Sequence, residues 1–152
     1  MVTDQNLVKK MLLIKKGTFS AAHFLPNYNG KCSNIHGHTW IYEVRLKGHF
    51  HYTDPQNYDG IWLDFEGVKN IMEQYDHLNL NDFFTNPTCE IIALTLGREI
   101  VELFPQVKDI TLALLESNKA GVIVDWKDIQ SFSQDLYVEK KKENEIEQKK
   151  EG

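Results

Sequence analysis

The chain has 152 residues, of which 41% are hydrophobic and 26% are charged, and its formal net charge at pH 7 is -5. The length suits one domain with a sizeable core, and the acidic balance argues against a nucleic-acid-binding scaffold. No apolar run approaches the length of a membrane span, and the first residues contain no signal-peptide core. Two cysteines in unlike surroundings give no disulfide framework. These features predict a cytoplasmic enzyme or binding domain without a membrane partner.

The first half of the chain predicts two long strands, one over residues 9 to 24 and one over residues 38 to 51. One face of the second strand is apolar, and it carries Trp40, Tyr42, Val44, Leu46 and Phe50. The other face carries Glu43, Arg45 and Lys47. This alternation is typical of a sheet that is covered chiefly on one side.

Three histidines and one cysteine lie within sixteen residues where these strands adjoin: His23, Cys32, His36 and His38. His36 and His38 are two residues apart, so on a strand they project from the same face. The turn-forming residues 26–30 can fold the chain back and bring His23 opposite this pair. Three imidazoles with a fourth position left open suit a catalytic zinc site.

A second pair, His49 and His51, has the same spacing at the far end of the second strand. Spacing alone therefore does not choose between the pairs, and either of them can be an ordinary surface pair without metal. The first pair is favoured because His23 and Cys32 lie across a turn from it. No further soft ligand follows His51 nearby.

Two helices follow. Apolar side chains at helical spacing predict the first from about residue 64 to 75, and they are Phe65, Val68, Ile71, Met72 and Tyr75. Residues 76–82 read as a turn. Asn86-Pro87-Thr88 predicts the start of the second helix, with proline at its first position. An apolar stripe that includes Leu103 runs from Cys89 to about Phe104, and Pro105 ends it.

Residues 107–117 and 120–127 predict two closing strands, which gives an α+β fold with the order ββααββ. Glu116 continues an apolar face, so either a partner pairs with its carboxylate or the strand has already ended and Glu116 is solvated. From Asp128 the composition becomes highly charged. We therefore divide the chain into a domain over residues 1–127 and a charged C-terminal tail over residues 128–152.

Further candidates are less specific on their own. Asp76 can fix the tautomer of His77 and tune it for acid/base work, but both are also common turn residues. Cys32 becomes a usable base or nucleophile beside a metal or an imidazolium, and is inert among apolar groups. Cys89 lies on the apolar stripe of the second helix and is expected to pack in the core.

Taken together, these residues carry a resemblance. In order along residues 19 to about 125, six short motifs resemble those of the 6-pyruvoyl-tetrahydropterin synthase and 6-carboxy-tetrahydropterin synthase (QueD) family. They are residues 19–23, Lys31-Cys32 with His36-Gly37-His38, residues 60–65, residues 76–79, residues 87–90 and residues 115–117. The resemblance implies the tunnelling fold (T-fold): a four-stranded antiparallel sheet with two helices on one face, closed by several subunits into a barrel. It also implies a homo-oligomer, usually a hexamer, with active sites at subunit interfaces.

The resemblance also implies roles for single residues. His23, His36 and His38 match the family's zinc (Zn²⁺) ligands, and Cys32 matches its catalytic thiolate.

Asp76 and His77 match the acid/base pair that acts with the cysteine. Glu116 matches the carboxylate that anchors the pterin, since one carboxylate can accept both N-H donors of a guanidine-like edge. Thr88 lies where the family places further pterin contacts, and Glu90 lies beside it.

Three residues separate Cys32 from His36, which is similar to the carboxy-tetrahydropterin branch. That branch implies a zinc-dependent carbon-carbon lyase of queuosine precursor (7-deazaguanine) biosynthesis. Its substrate is 7,8-dihydroneopterin triphosphate, and its products are 6-carboxy-5,6,7,8-tetrahydropterin, acetaldehyde and triphosphate. The alternatives are a 6-pyruvoyl-tetrahydropterin synthase and a non-catalytic pterin-binding or zinc-binding relative.

Overall fold

The computed structural model describes residues 8–51 and 60–133. In chain order, its elements are β1 (Val8–His23), β2 (His36–His51), α1 (Phe65–Met72), β3 (Leu78–Asn79), α2 (Cys89–Leu103), β4 (Asp109–Ser117), β5 (Ala120–Asp125) and α3 (Trp126–Ser131). They form an α+β fold, so the predicted fold class is confirmed. The four long predicted strands and the two long helices are present, and β3 and α3 are additions.

The strands form one sheet in the order β3-β1-β2-β4-β5. The four long strands are antiparallel, as expected, because each is joined to its neighbour in the sheet by an antiparallel ladder. β3 pairs parallel to β1 through two residues, so the sheet has five strands. A two-residue strand is too short to leave a periodic pattern in the sequence.

The core lies between one face of this sheet and the helices. Along β2, even-numbered residues from Trp40 to Phe50 are buried, and the odd-numbered residues are half-buried or exposed. The β1–β2 register places Phe19 of β1 beside Trp40, so the two strands share their buried face. α2 packs against β4 and β5, and α1 packs against α2 and β1.

The C-terminal end of the described chain also joins this core. α3 begins with a capping box at Asp125 and Asp128, and it buries Ile129. A side chain at Gly97 of α2 would meet Ile129, because an added Cβ atom would lie 2.5 Å from its Cδ1 atom. The core therefore continues to Ile129, past the boundary that we drew at residue 127. Most of the predicted charged tail, residues 134–152, lies outside the described residues.

Three details of the predicted helices are wrong. α1 ends at Met72, so Tyr75 is buried in the turn after the helix. Phe65 and Leu103 lie at helix ends and are 59% and 58% exposed, although they matched the apolar stripes. Thr88 is the N-cap of α2 and its hydroxyl accepts from Ile91 N at 3.2 Å, so proline precedes the cap and is not the first helical residue.

Among the described residues, no helix is both long enough and apolar enough to span a membrane.

Candidate active site and metal centre

The β1–β2 hairpin brings the three predicted histidines together at the end where its two strands are joined. His23 is the cross-strand partner of His36, and Ala21 is the partner of His38. All three imidazoles lie on the helix-covered face, with ring centroids 4.6 to 5.1 Å apart. Their candidate ligand atoms lie within 4.8 Å of one another. The predicted convergence of the histidines is confirmed.

Backbone carbonyls fix the tautomers of two of these histidines. His23 Nδ1 lies 2.7 Å from Pro87 O, and His36 Nδ1 lies 2.7 Å from Asn34 O. A carbonyl oxygen only accepts hydrogen bonds, so each Nδ1 carries the hydrogen and each Nε2 keeps a free lone pair. Such a second partner is the usual way in which a protein orients a metal-ligating histidine.

The Nε2 atoms of the three histidines make no hydrogen bond within the part of the chain that the structure describes. The Nε2 atoms of His23, His36 and His38 are all buried, and none has a hydrogen-bond partner among the described residues. Burial lowers the pKa of His23 and that of His38, so both imidazoles are neutral at neutral pH. A buried polar atom without a partner is costly. Three buried imidazole nitrogens that share one small volume can therefore hold a metal ion, and the residues present fit such an ion.

His49 and His51 do not form a comparable group. Both are exposed at the opposite end of β2, beside Lys10 and Val8 of β1. Within residues 8–51 and 60–133, the group of three side chains with metal-binding geometry is the one at the hairpin loop.

Cys32 lies in a short 3-10 turn, Lys31–Ser33, in the loop that joins β1 to β2. Its carbonyl accepts a hydrogen bond from Leu25 N at 2.8 Å, and its free thiol is half-buried. Cys89 differs: it is buried, its thiol donates to Leu114 O at 3.2 Å, and burial raises its pKa to about 12. The expectation that Cys89 packs in the core is confirmed, and Cys32 is the accessible thiol of the two.

Asp76 and His77 form a hydrogen-bonded pair although adjacent side chains often diverge. His77 Nδ1 donates to Asp76 Oδ2 at 2.8 Å. His77 has a φ of 62°, a left-handed conformation that is uncommon outside glycine, and its backbone N donates to Ser20 O at 2.6 Å. Ser20 N donates to Asp76 Oδ1 at 2.8 Å, and this bond together with that from His77 lowers the pKa of Asp76. An ionised Asp76 therefore holds His77 in one tautomer.

Among the described residues, no hydrogen bond joins this pair to the histidine cluster. His77 is 82% exposed and borders a surface depression that Ser20, Thr39 and also His38 line. Among the described residues, no hydrogen bond connects Cys32 to Asp76 or His77. Within one chain, the structure brings the three histidines together, and the predicted acid/base pair is hydrogen-bonded to Ser20 and not to them.

Glu116 lies beside the histidine cluster. It is on β4, which continues to Ser117, and its side chain is 32% exposed. Glu116 Oε2 is 3.8 Å from His38 Nε2. The alternative in which the strand ends before Glu116 is therefore wrong. Thr88 caps α2 close to Pro87, and Glu90 is exposed in the first turn of that helix.

Comparison with known proteins shows the family. A model of the 6-pyruvoyl tetrahydropterin synthase family matches residues 12–127. The chain belongs to this family. The resemblance that the sequence motifs carried is confirmed, and family membership makes the protein a pterin-processing enzyme.

The proteins that are similar to this tetrahydropterin synthase family member carry more than one name. A Pyrococcus furiosus protein named dihydroneopterin monophosphate aldolase is 33% identical over 122 residues, which are 77% of this chain and 99% of that protein. A putative 6-carboxy-5,6,7,8-tetrahydropterin synthase of Archaeoglobus fulgidus is 30% identical over 118 residues, or 75% of this chain and 96% of the relative. The Caenorhabditis elegans 6-pyruvoyl tetrahydropterin synthase structure aligns with a TM-score of 0.56 and 25% identity, and covers 78% of this chain and 95% of that one.

The sequence does not predict the groups that orient the histidines of the cluster. The oxygens of Asn34 and Pro87 are backbone atoms, which every residue type supplies, so no composition or spacing signals them. Asn81 was missed for another reason. It follows several Asn and Asp residues in a segment that reads as a plain turn, yet it is buried.

Proposed function

We propose that the chain is a zinc-dependent 6-carboxy-5,6,7,8-tetrahydropterin synthase. In this proposal it converts 7,8-dihydroneopterin triphosphate to 6-carboxytetrahydropterin, acetaldehyde and triphosphate in the synthesis of 7-deazaguanine precursors. The observation that carries the proposal is the position of Cys32, an accessible thiol that three residues separate from the first histidine of the His36-Gly37-His38 pair. This spacing is similar to that of the carboxy-tetrahydropterin branch. The name of the Archaeoglobus fulgidus relative supports the same branch.

In the proposed reaction, His23, His36 and His38 hold zinc through their Nε2 atoms. When bound, zinc supplies Lewis-acid polarisation of oxygen atoms on the substrate side chain. Cys32 Sγ takes a proton from that side chain, and His77 Nε2 exchanges a second proton while Asp76 Oδ2 keeps the hydrogen on Nδ1. Glu116 binds the N-H donors of the pterin edge, and Thr88 makes a further contact with the pterin.

The proposal includes a homo-oligomer, with a hexamer as the expected form. Its support is that, among the described residues of one chain, no hydrogen bond joins the exposed Asp76–His77 pair to Cys32 or to the histidine cluster. A second copy that places its own pair against the first copy's Cys32 would complete the proton-transfer groups.

A second candidate is aldol cleavage of dihydroneopterin monophosphate. It is favoured by the Pyrococcus furiosus relative, which matches this chain over 99% of its own length. The 6-pyruvoyl-tetrahydropterin synthase reaction is a third outcome on the same triphosphate substrate. A non-catalytic binding module is disfavoured because such a module would be free to lose Cys32, Asp76 or His77, and all three are present.

Product analysis tests the proposal. Zinc-loaded protein is incubated separately with dihydroneopterin triphosphate and with the monophosphate, and pterins and aldehydes are identified by mass spectrometry. Acetaldehyde and a 6-carboxy product from the triphosphate are expected. A 6-pyruvoyl product would overturn the proposal, and so would turnover of the monophosphate alone to a phosphorylated aldehyde. Metal-stripped protein is the control for reactions that do not need the site.

Glu116 provides a separate prediction about recognition. Glu116→Gln is expected to weaken pterin binding nearly as much as Glu116→Ala, at a cost of roughly 2 to 5 kcal/mol. The amide keeps the size of the carboxylate but offers one acceptor oxygen and turns an N-H toward the pterin donors. Calorimetry on zinc-loaded protein measures the dissociation constant.

Glu102→Gln is the matched control, because Glu102 is exposed on α2 and pairs with Arg98. It should leave pterin affinity unchanged. If Glu116→Gln also binds pterin normally, Glu116 has no part in the site.

A further inference from the structure

Asn81 is a buried amide that lies beside the candidate site and has no assigned role. It is 5% exposed in a short 3-10 turn, Leu80–Asp82, between β3 and α2. A buried amide is stable only when its polar atoms are hydrogen-bonded. The partners of Asn81 therefore show which part of the chain it holds.

Both polar groups of the Asn81 side chain bind a single residue, Phe24. Asn81 Oδ1 accepts from Phe24 N at 2.8 Å, and Asn81 Nδ2 donates to Phe24 O at 2.9 Å. This is the pattern by which a neighbouring strand would bind Phe24. β3 pairs with Ala21 and Ala22 of β1. The Asn81 side chain thus continues the hydrogen bonding along this edge of β1, at Phe24, where the backbone after β3 no longer pairs with β1.

Phe24 joins two parts of the candidate site. It directly follows His23, and Leu25, the next residue, donates its backbone N-H to Cys32 O at 2.8 Å. A short chain of bonds therefore runs from Asn81 through the backbone of Phe24 and Leu25 to the turn that carries Cys32. On the other side of Phe24, the His23 ring is held by Pro87 O. The residues from Asn81 to Pro87 thus fix both the backbone next to His23 and its ring.

We propose that Asn81 is a positioning residue of this site, because its amide fixes the Phe24 backbone and so sets where Cys32 lies relative to His23. The proposal rests on the proposed function, since it assumes that the histidines bind metal and that Cys32 takes part in turnover. Asn81 touches neither the metal nor the substrate. It acts through the backbone between a ligand and the thiol.

Two substitutions separate this role from a general effect on folding. Asn81→Asp has the same shape and keeps one acceptor for Phe24 N, but its second oxygen faces Phe24 O and cannot donate. Asn81→Leu removes both bonds. Gln106→Leu is the matched control: it removes a half-buried amide that donates to Trp62 O at the far end of the sheet. Circular dichroism confirms that each variant is folded at the assay temperature.

Cobalt(II) titration followed by visible absorption measures metal binding independently of activity. In folded Asn81→Asp, cobalt affinity or turnover is expected to fall by about 10- to 100-fold, the range seen when an outer partner of a metal ligand is lost. The absorption bands should shift, and kcat should fall with KM little changed. Gln106→Leu should keep the wild-type spectrum, affinity and kcat even if its melting temperature falls.

The outcomes separate the two proposals. If wild-type protein binds no cobalt at the histidines or turns over no pterin, the proposed function fails. If wild-type protein does both, and folded Asn81→Asp matches it in spectrum, affinity and kcat, the positioning role of Asn81 is wrong. Asn81→Asp decides the matter if Asn81→Leu does not fold.

Discussion

His36→Ala is expected to remove the bound metal and to abolish turnover. The three Nε2 atoms share one small volume, and the group of potential ligands among the described residues has three members, so loss of one imidazole leaves two. The loss of affinity should exceed by far the 10- to 100-fold that follows removal of an outer partner. Metal content after dialysis, measured by elemental analysis, and single-turnover kinetics check the prediction.

His49→Ala is the control for His36→Ala. The two residues lie on the same strand and have the same chemistry, but His49 is exposed and roughly 40 Å away at about 3.3 Å per residue. His49→Ala should keep about one metal ion per chain and normal turnover. If His49→Ala loses the ion and His36→Ala keeps it, the active site has been placed at the wrong end of the hairpin.

Cys32→Ala is expected to lower turnover by about 100-fold or more while metal and pterin binding remain. Loss of a positioned acid/base group typically has an effect of this size. Cys32 is half-buried in a surface loop, and its thiol is not a core contact, so the fold should tolerate alanine. Steady-state kinetics, metal content and pterin calorimetry on the same preparation separate chemistry from binding.

The second cysteine gives the control for the first. Cys89→Ser keeps the size of the side chain and a donor for Leu114 O, so it should retain turnover with some loss of thermal stability. If Cys32→Ala were as active as wild type, the thiol would have no role in proton transfer. His77 and Asp76 would then need another partner.

The sequence predicts the large elements well because their patterns are long. β2 alternates over its whole length, and α2 keeps its apolar stripe over four turns, so burial of a single face determines both. The element that the sequence does not predict and the residues that it wrongly places in the core lie where the sequence patterns are short. β3 has two residues, and Phe65 and Leu103 lie at helix ends, where one apolar residue satisfies the period without being covered.

The candidate site, like the fold, could be predicted from the sequence only in part. The two-residue spacing alone places His36 and His38 on one face. The pairing of His23 with His36 depends on the path of a twelve-residue loop, which is held by bonds such as Leu25 to Cys32. The hydrogen bond between Asp76 and His77 occurs in a chain segment where His77 has a positive φ, which no spacing indicates. Motif resemblance identifies such residues but gives no contacts.

The hairpin that supplies all three histidines is local in sequence, but one of the carbonyl groups that orient them is not. His23 and His36 are thirteen residues apart, whereas the Pro87 carbonyl that orients His23 lies 64 residues beyond it. A synthetic peptide spanning β1 and β2 would therefore contain all three histidines yet bind an ion more weakly than the whole chain, since its His23 ring would lose the carbonyl that orients it. Metal affinity thus reports whether the tertiary fold is complete. By linkage, a bound ion would in turn stabilise the complete fold against partly folded forms.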